Sequence, residues 1–226
     1  MGLGLIRKGQ FAKAEPYLRR AVKTLTEKNP NPYDGEPLYN LGLSLKYQGK
    51  TDEAYDCFYK ACWNAAWQDA GYYSLAQLSA SKGNWEDALY EIDKSLLRNW
   101  HNLRGRHLKA VVLRHLGRVD EALDLIRESL AIDCFNFGCS FEEYLLTGEK
   151  AVLDDLLVRM RSEGHNYEEL SLDYASAGCW EEALKVVEVA FEVVASERTL
   201  LYYYKSWFLL SLGRLKEAEM AICVAE

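Results

Sequence analysis

Residues 38–61 decide the fold, and they read LYNLGLSLKYQGKTDEAYDCFYKA. Apolar residues recur on both sides of Gly49, and small residues stand at Gly42, Ala54 and Ala61. Two antiparallel helices approach closely only where the facing side chains are small, and glycine ends a helix cheaply because it accepts a left-handed backbone. The stretch therefore predicts a helical hairpin with its turn at Gly49.

The same spacing recurs along the chain. A glycine is followed five residues later by an alanine at six places, which are Gly9/Ala14, Gly49/Ala54, Gly83/Ala88, Gly117/Ala122, Gly178/Ala183 and Gly213/Ala218. A small residue also stands seven positions before each glycine and seven after each alanine. Self-similarity at a fixed spacing is typical of repeat architectures. The sequence therefore predicts an all-α chain built from successive helical hairpins.

Pairs of acidic residues precede several of these alanines, for example Asp52-Glu53 and Glu181-Glu182. They fall in the predicted first turn of each second helix, where carboxylates interact favourably with the helix dipole. We interpret these pairs as structural rather than catalytic.

One further repeat is predicted between Ala122 and Ala183, because their interval of 61 residues is too long for a single repeat. We place this degenerate repeat at about 134–164, with helices near 137–147 and 149–162. The total is then about seven hairpins and fourteen helices in a single domain, 1–226. Because Gly2 and Glu226 both fall inside predicted helices, we expect the chain to be part of a longer protein.

The steps between Ala54, Ala88 and Ala122 are 34 residues each. With the motif of residues 38–61, they make the chain resemble the tetratricopeptide-repeat (TPR) family over nearly its whole length. The resemblance implies an α-solenoid that forms a right-handed superhelix. The array is also similar to those of large bacterial proteins in which a β-rich domain, linked by context to carbohydrate use, precedes the repeats.

In TPR arrays the first helices line a concave groove whose side chains select the partner. The resemblance places the following partner-binding residues there: Tyr39, Lys46, Tyr73, Gln77, Arg104, His107, Arg114, Tyr203 and Trp207. The chaperone-binding members need Lys and Asn at positions that are Tyr39 and Leu43 in this chain. A chaperone-docking role is therefore disfavoured.

A basic block between Lys94 and Val119 holds seven Lys or Arg residues and three histidines without an acidic residue, although the chain carries a net charge of −7. Arginine binds carboxylates and phosphates through paired hydrogen bonds, so the block is a candidate site for an acidic segment. The alternative is a solvated helix face that pairs with acidic helices nearby. We expect no nucleic-acid partner, because the overall acidity repels a long phosphate backbone.

Several other classes of site are disfavoured. The six cysteines are scattered without a CxxC pair and are predicted to be reduced and buried, and the four histidines lack the spacings of common zinc sites. We therefore predict no metal site and no cofactor. Neither a membrane span nor a secretory signal is recognisable, so we expect no membrane partner and a cytoplasmic location.

The function predicted from these observations is a protein–protein interaction scaffold that is not an enzyme, because no catalytic motif is present. Its partner is a protein or peptide, with another domain of the parent chain as one candidate. Two alternatives remain open. One is an accessory carbohydrate-recognition module for an attached enzymatic domain, with Trp63, Trp67 and Trp100 as candidate sugar-stacking residues. The other is a structural spacer or self-association module, for which a homo-oligomer is possible.

Overall fold

The computed structural model describes residues 1–30, 32–195 and 198–225. Asn31, in the turn-rich segment after the first hairpin, and Glu226 lie outside the described residues. Within them the chain forms fourteen α-helices and no β-strand, which confirms the predicted all-α class. The helices are α1 Gly2–Ile6, α2 Phe11–Thr26, α3 Glu36–Lys46, α4 Thr51–Ala61, α5 Gln68–Ser81, α6 Trp85–Arg98, α7 Leu103–His115, α8 Val119–Ile132, α9 Phe137–Thr147, α10 Lys150–Met160, α11 Gly164–Ser176, α12 Trp180–Val193, α13 Thr199–Ser211 and α14 Leu215–Ala225.

Glycine occupies the turn that follows each odd-numbered helix. These glycines all have a positive φ, and they are Gly9, Gly49, Gly83, Gly117, Gly148, Gly178 and Gly213. A left-handed residue at this place ends a helix and lets the chain turn into the next one. The set contains the six predicted turn glycines together with Gly148, so the hairpin prediction is confirmed.

The alanine five residues after each predicted turn glycine is buried, as close helix packing requires. Ala54, Ala88 and Ala122 have no exposed surface. Gly42 shows the same constraint from the facing helix, because a Cβ atom there would lie 2.7 Å from the ring of Phe58. The small residues thus mark where paired helices approach each other.

The degenerate repeat forms a hairpin of its own, with α9 and α10 close to the predicted 137–147 and 149–162. Asn136 caps α9 by accepting a hydrogen bond from the Cys139 amide at 3.2 Å. Gly148, with φ of 68°, separates the two helices. The acidic pairs likewise lie in the first turns of second helices, including Glu181 and Glu182 in α12.

The described residues group into two compact units. Unit 1 comprises residues 1–79 and 86–102, and unit 2 comprises 80–85 and 103–226. In unit 1, a hydrophobic cluster joins α2 to α5 and has Leu45 and Phe58 among its fully buried members. That the whole chain is one continuous domain stays a prediction.

Unit 2 is built from helix pairs α7/α8, α9/α10, α11/α12 and α13/α14, and α7 also packs on α9. Its largest fully buried side chains include Arg106, Tyr167, Tyr174 and Phe208. Arg106 lies on α7 and both tyrosines lie on α11, which are first helices of their hairpins.

All six cysteines are free thiols. Cys62, Cys139 and Cys179 are buried, as predicted, and Cys57 is half-buried. The prediction is wrong for Cys134 and Cys223, which are exposed. Cys134 lies in the loop before α9 and Cys223 in the last turns of α14, and neither place faces a core.

Candidate functional site

Four predicted groove residues lie in unit 1, on α3 and α5. Nζ of Lys46 donates a hydrogen bond to Oε1 of Gln77 at 2.6 Å, and Nε2 of Gln77 donates to the hydroxyl of Tyr73 at 3.1 Å. Burial lowers the pKa of Lys46 to about 8, because a poorly solvated environment disfavours the charged ammonium. The structure therefore joins Lys46, Gln77 and Tyr73 in one hydrogen-bonded row.

Tyr39 is the fourth of these residues, and it is half-buried among aromatic rings. Its ring stacks on Trp67 with centroids 4.9 Å apart and lies 5.5 Å from the ring of Phe58. Trp67 also rests on Gly35, where a Cβ atom would lie 2.8 Å from the indole ring. Tyr39 and Trp67 therefore contribute packing contacts in unit 1.

In unit 2, a pocket of about 290 Å³ opens between α7, α9 and α11. It contains Arg104 and His107 of the predicted site. Its lining residues are Leu103, Arg104, His107, Phe135, Asn136, Phe137, Gly138, Asn166, Glu169, Leu170 and Asp173. We take this pocket as the candidate functional site, because it combines polar and aromatic side chains on first helices, as the groove prediction requires.

His107 forms the buried side of the pocket. Its ring lies against Gly138 in the first turn of α9, where a Cβ atom would be 2.3 Å from Cγ of the imidazole. Burial, together with the smaller effects of the positive charges on Arg114 and Arg104, lowers the pKa of His107 to about 3. Among the described residues, Nε2 has no hydrogen-bond partner. His107 is therefore a neutral packing residue near pH 7.

Arg104 lies at the mouth of the pocket with its side chain 56% exposed. Its Nε is 3.2 Å from Oδ1 of Asp173, and its Nη2 is 3.7 Å from Oε2 of Glu169. Burial raises the pKa of Asp173 to about 6, with Arg104 opposing the rise and Glu169 adding to it. The mouth therefore presents one cation and two carboxylates on adjacent helices.

Arg114 lies outside this pocket, in the last turn of α7. Its Nε donates to Oε2 of Glu142 at 2.7 Å, and its Nη2 donates to Oε1 of Glu182 at 2.9 Å. The hydroxyl of Tyr174 donates to the other oxygen of Glu142 at 2.7 Å. Glu142 is fully buried, and burial raises its pKa while Arg114 opposes the rise. This network joins α7 to α9, α11 and α12.

Other arginines of the predicted basic block also have carboxylate neighbours within unit 2. Arg106 is fully buried, with Nε donating to Ser129 at 2.7 Å and Nη2 lying 3.2 Å from Glu128. Arg118 pairs with Glu121 at 2.6 Å. Carboxylates of the same unit thus compensate much of the positive charge, which agrees with the alternative interpretation of the block.

Tyr203 and Trp207 lie on α13, and both are exposed. The ring of Trp207 meets that of Trp180 edge-on at a centroid distance of 5.6 Å. Neither residue lines the pocket of unit 2. They form a separate aromatic surface on the same unit.

The sequence prediction missed Phe135, Glu169 and Asp173 at this pocket. Phe135 precedes a helix in the degenerate repeat, and the two carboxylates lie on α11 without a recognisable motif. The segment Phe135-Asn136-Phe137-Gly138 held a usable signal, because an asparagine that caps a helix fixes the aromatic residues beside it. The sequence prediction also missed a cluster of His115, Cys179 and Glu182, whose possible metal-binding atoms all lie within 4.8 Å of one another.

None of the helices in the part of the chain that the structure describes is long and apolar enough to cross a membrane.

Comparison with known proteins supports the repeat assignment. Residues 35–62 match the family model of the tetratricopeptide repeat. A TPR protein from Parabacteroides merdae ATCC 43184 has a similar crystal structure, with a TM-score of 0.63 and 20% identity over 99% of this chain and 89% of that one. The structure of MamA AMB-1 has a TM-score of 0.50 and 19% identity over 84% of this chain and 94% of that one. At these identities the likeness shows a common fold.

Proposed function

We propose that this chain, whose helical hairpins have the tetratricopeptide-repeat fold, is an interaction scaffold that binds a segment of a protein partner in the pocket of unit 2. Repeat proteins of this type present long surfaces formed by successive units, and they use those surfaces for binding. Under this proposal, the side chains of α7, α9 and α11 make the specific contacts. The row formed by Lys46, Gln77 and Tyr73 and the exposed Tyr203 and Trp207 are proposed as additional contacts.

The observation that carries the proposal is the pairing of Phe135 and Arg104 at the pocket. Phe135, in the loop before α9, is 61% exposed, and Arg104 is exposed on α7. Aromatic residues and arginine contribute a disproportionate share of the energy at protein interfaces. An exposed ring beside a pocket has apolar surface that a partner side chain can cover. This combination supports binding of a segment that carries an apolar side chain.

Arg104 supports a carboxylate next to that apolar side chain. Its contact with Glu169 is long and exposed, and exposed ion pairs contribute little stability. A partner carboxylate can therefore replace Glu169 at small cost. Arg114 is less available, because Glu142 and Glu182 already hold its guanidinium.

The test compares variants that change the pocket with a matched surface variant. Arg104→Glu and Phe135→Ala are expected to lose a partner, whereas Arg127→Glu is expected to retain it. Arg127 is an exposed arginine on α8 with its own exposed partner, Asp124, so it controls for the change in charge. Each variant is used as bait for native lysate, and retained proteins are identified by mass spectrometry.

A protein that only the two pocket variants lose is then purified, and its dissociation constant is measured with all four baits. Each pocket variant is expected to weaken binding at least tenfold. Equal affinities for all baits would contradict the pocket as the binding site. Arg114→Glu is left out of the comparison, because it would set a third carboxylate beside Glu142 and Glu182 and disturb the fold.

A second candidate function is carbohydrate recognition in unit 1. Pro32, Tyr33, Trp63 and Trp67 line an open depression of about 710 Å³, and Trp63 is 50% exposed. A broad exposed ring of this kind has an apolar face and a polar edge, both of which a sugar can contact. Titration with oligosaccharides is expected to change the tryptophan fluorescence of the wild type and not that of Trp63→Ala. Trp207→Ala serves as the control, and an unchanged spectrum of the wild type would exclude this candidate.

A further inference from the structure

His115, Cys179 and Glu182 bring three different metal-binding atoms together in unit 2. Nε2 of His115 lies 3.9 Å from Sγ of Cys179 and 3.6 Å from Oε1 of Glu182. The three donor atoms all lie within 4.8 Å of one another. An imidazole nitrogen, a thiol sulfur and a carboxylate oxygen are the ligand types that zinc takes in proteins.

The distances are close to those of an occupied site. Zinc bonds of about 2.0–2.3 Å in a tetrahedral arrangement set neighbouring ligand atoms roughly 3.3–3.6 Å apart. The separation from Nε2 of His115 to Oε1 of Glu182 falls at the edge of this range, and that to Sγ of Cys179 exceeds it by a few tenths of an ångström. The third pair, Cys179 and Glu182, lies within 4.8 Å. Closing the site therefore requires side-chain rotations that bring the Cys179 sulfur and the Glu182 carboxylate together by up to about 1 Å.

The fold explains why the three ligands meet. Cys179 immediately precedes α12 and Glu182 lies in its first turn, so a spacing of three residues places both side chains at the same helix end. Gly178 allows this end to approach residues 80–85, because a Cβ atom there would lie 2.7 Å from Cα of Ser81. His115 is the last residue of α7, two hairpins earlier in the chain, and its Nε2 lies 3.9 Å from Sγ of Cys179.

Neighbouring side chains orient the ligands, as second-layer residues do in known metal sites. The ring of Trp85 lies flat on that of His115, with centroids 3.9 Å apart and planes 4° apart. Arg114 donates to Oε1 of Glu182 and thereby fixes the carboxylate. The imidazole and the carboxylate are thus already held in place, so binding of a metal ion would restrict the rotation of few additional side-chain bonds.

The charges also favour a divalent cation. When the ion binds, the Cys179 thiol loses its proton, and the thiolate and the Glu182 carboxylate then supply two negative charges that match a divalent ion.

We propose that His115, Cys179 and Glu182 bind one divalent transition-metal ion, with Zn²⁺ as the best fit. The side chain of His115 is 27% exposed, which provides a route for the ion and room for a water molecule as the fourth ligand. The proposal is independent of the partner-binding function. It replaces the expectation from the sequence that the chain has no metal site. The site was not recognisable in the sequence because His115 and Cys179 are 64 residues apart.

Cobalt serves as the probe, because a Co²⁺–thiolate bond gives a charge-transfer band that zinc lacks. The intact chain is stripped with a chelator and titrated with Co²⁺ under reducing conditions. We expect a band that saturates at one equivalent and disappears when Zn²⁺ is added. Cys179→Ser is expected to lose the band, and Cys134→Ser and Cys223→Ser, which remove exposed thiols, are expected to keep it.

His115→Ala keeps the test decisive if the cysteine variant folds poorly, because His115 is partly exposed at the end of α7 and its main packing contact is the ring of Trp85. We expect this variant to keep its helical circular dichroism and to bind Co²⁺ at least tenfold more weakly. Glu182→Gln tests the oxygen ligand in the same way. A wild type without the charge-transfer band, or a band that persists in both Cys179→Ser and His115→Ala, would overturn the proposal.

Discussion

At the scale of single residues, the pocket of unit 2 depends on one glycine. Gly138 lets the backbone of α9 lie directly against the ring of His107, and any larger residue would overlap the imidazole. His107 is buried and neutral, so it supports the pocket by shape rather than by charge. The geometry around these two residues gives a direct test of the site.

Gly138→Ala is expected to reduce the free energy of unfolding by about 1–3 kcal/mol, because the new methyl group overpacks a tight contact. Gly164→Ala is the matched control, since it also lies in the first turn of a helix and a Cβ atom there meets nothing closer than 3.8 Å. We expect the control to be neutral or stabilised by up to about 1 kcal/mol through helix propensity. Urea denaturation followed by circular dichroism measures both, and equal midpoints would contradict the contact.

Asp173 predicts a pH dependence of stability. Its folded pKa of about 6 lies above the unfolded value of 3.8, so the folded state binds its proton more tightly. The protonated Asp173 therefore contributes stability in full at pH values below the unfolded pKa of 3.8, and this contribution is lost as the pH rises through about 6. Asp173→Asn removes this loss and is expected to be more stable than the wild type at pH 7.5, by about 1–3 kcal/mol.

The gain from Asp173→Asn is expected to shrink as the pH falls from 7.5 to 4.5. Urea unfolding of both proteins at several pH values measures the difference, which cancels the contribution of titrating groups that lie far from Asp173. Asp155→Asn, which removes an exposed carboxylate on α10, serves as the control. A gain that does not change with pH would show that burial of the Asp173 carboxylate is not its cause.

Residue types predicted burial better than they predicted roles. The small residues at Ala54, Ala88 and Ala122 were correctly placed at helix contacts, because only small side chains fit there. Arg106 and Glu142 were not recognised as buried, since their burial depends on partners from other helices, Ser129 for Arg106 and Arg114 for Glu142. A linear pattern shows that a residue is charged, and only the fold shows which opposite charge it meets.

At the scale of helices, the hairpin follows from its turn and its contact point. The turn glycine reverses the chain, and the alanine five residues later lets the second helix pack closely on the first. The degenerate repeat was recognised from the interval between Ala122 and Ala183 and from Gly148, and its helices lie within two residues of their predicted bounds. The partner-binding role of each first helix had to be taken from family resemblance and stays a proposal.

Ala88→Leu tests the contact point of the hairpin. Ala88 is fully buried on α6, and three extra carbon atoms there must push helices apart or adopt strained rotamers. We expect the free energy of unfolding to fall by about 1–3 kcal/mol. Ala21→Leu makes the same change at an exposed position of α2 and is expected to have little effect. Thermal denaturation compares the two, and a neutral Ala88→Leu would put the repeat register in doubt.

At the scale of the whole molecule, the sequence predicted one repeat array, and the structure describes two compact units. All three proposed metal ligands belong to unit 2, on α7 and at the start of α12. In repeat proteins each hairpin packs mainly on its neighbours, so stability is a sum of local contributions. A ligand that joins two helices of one unit should therefore stabilise that unit more than the other.

Hydrogen exchange with and without Zn²⁺ measures this distribution. A ligand that binds only the folded state increases its stability with the logarithm of the ratio of ligand concentration to dissociation constant. It slows hydrogen exchange only at amides that become exposed in the same opening event as the binding site. We expect zinc to slow exchange in α7 and α12, with smaller effects in α9 and α11 and none in α2 to α4. His115→Ala should abolish the effect throughout. Equal protection of both units would show that the chain unfolds as one cooperative body, because the effect of a local crosslink would then reach helices that have no contact with it.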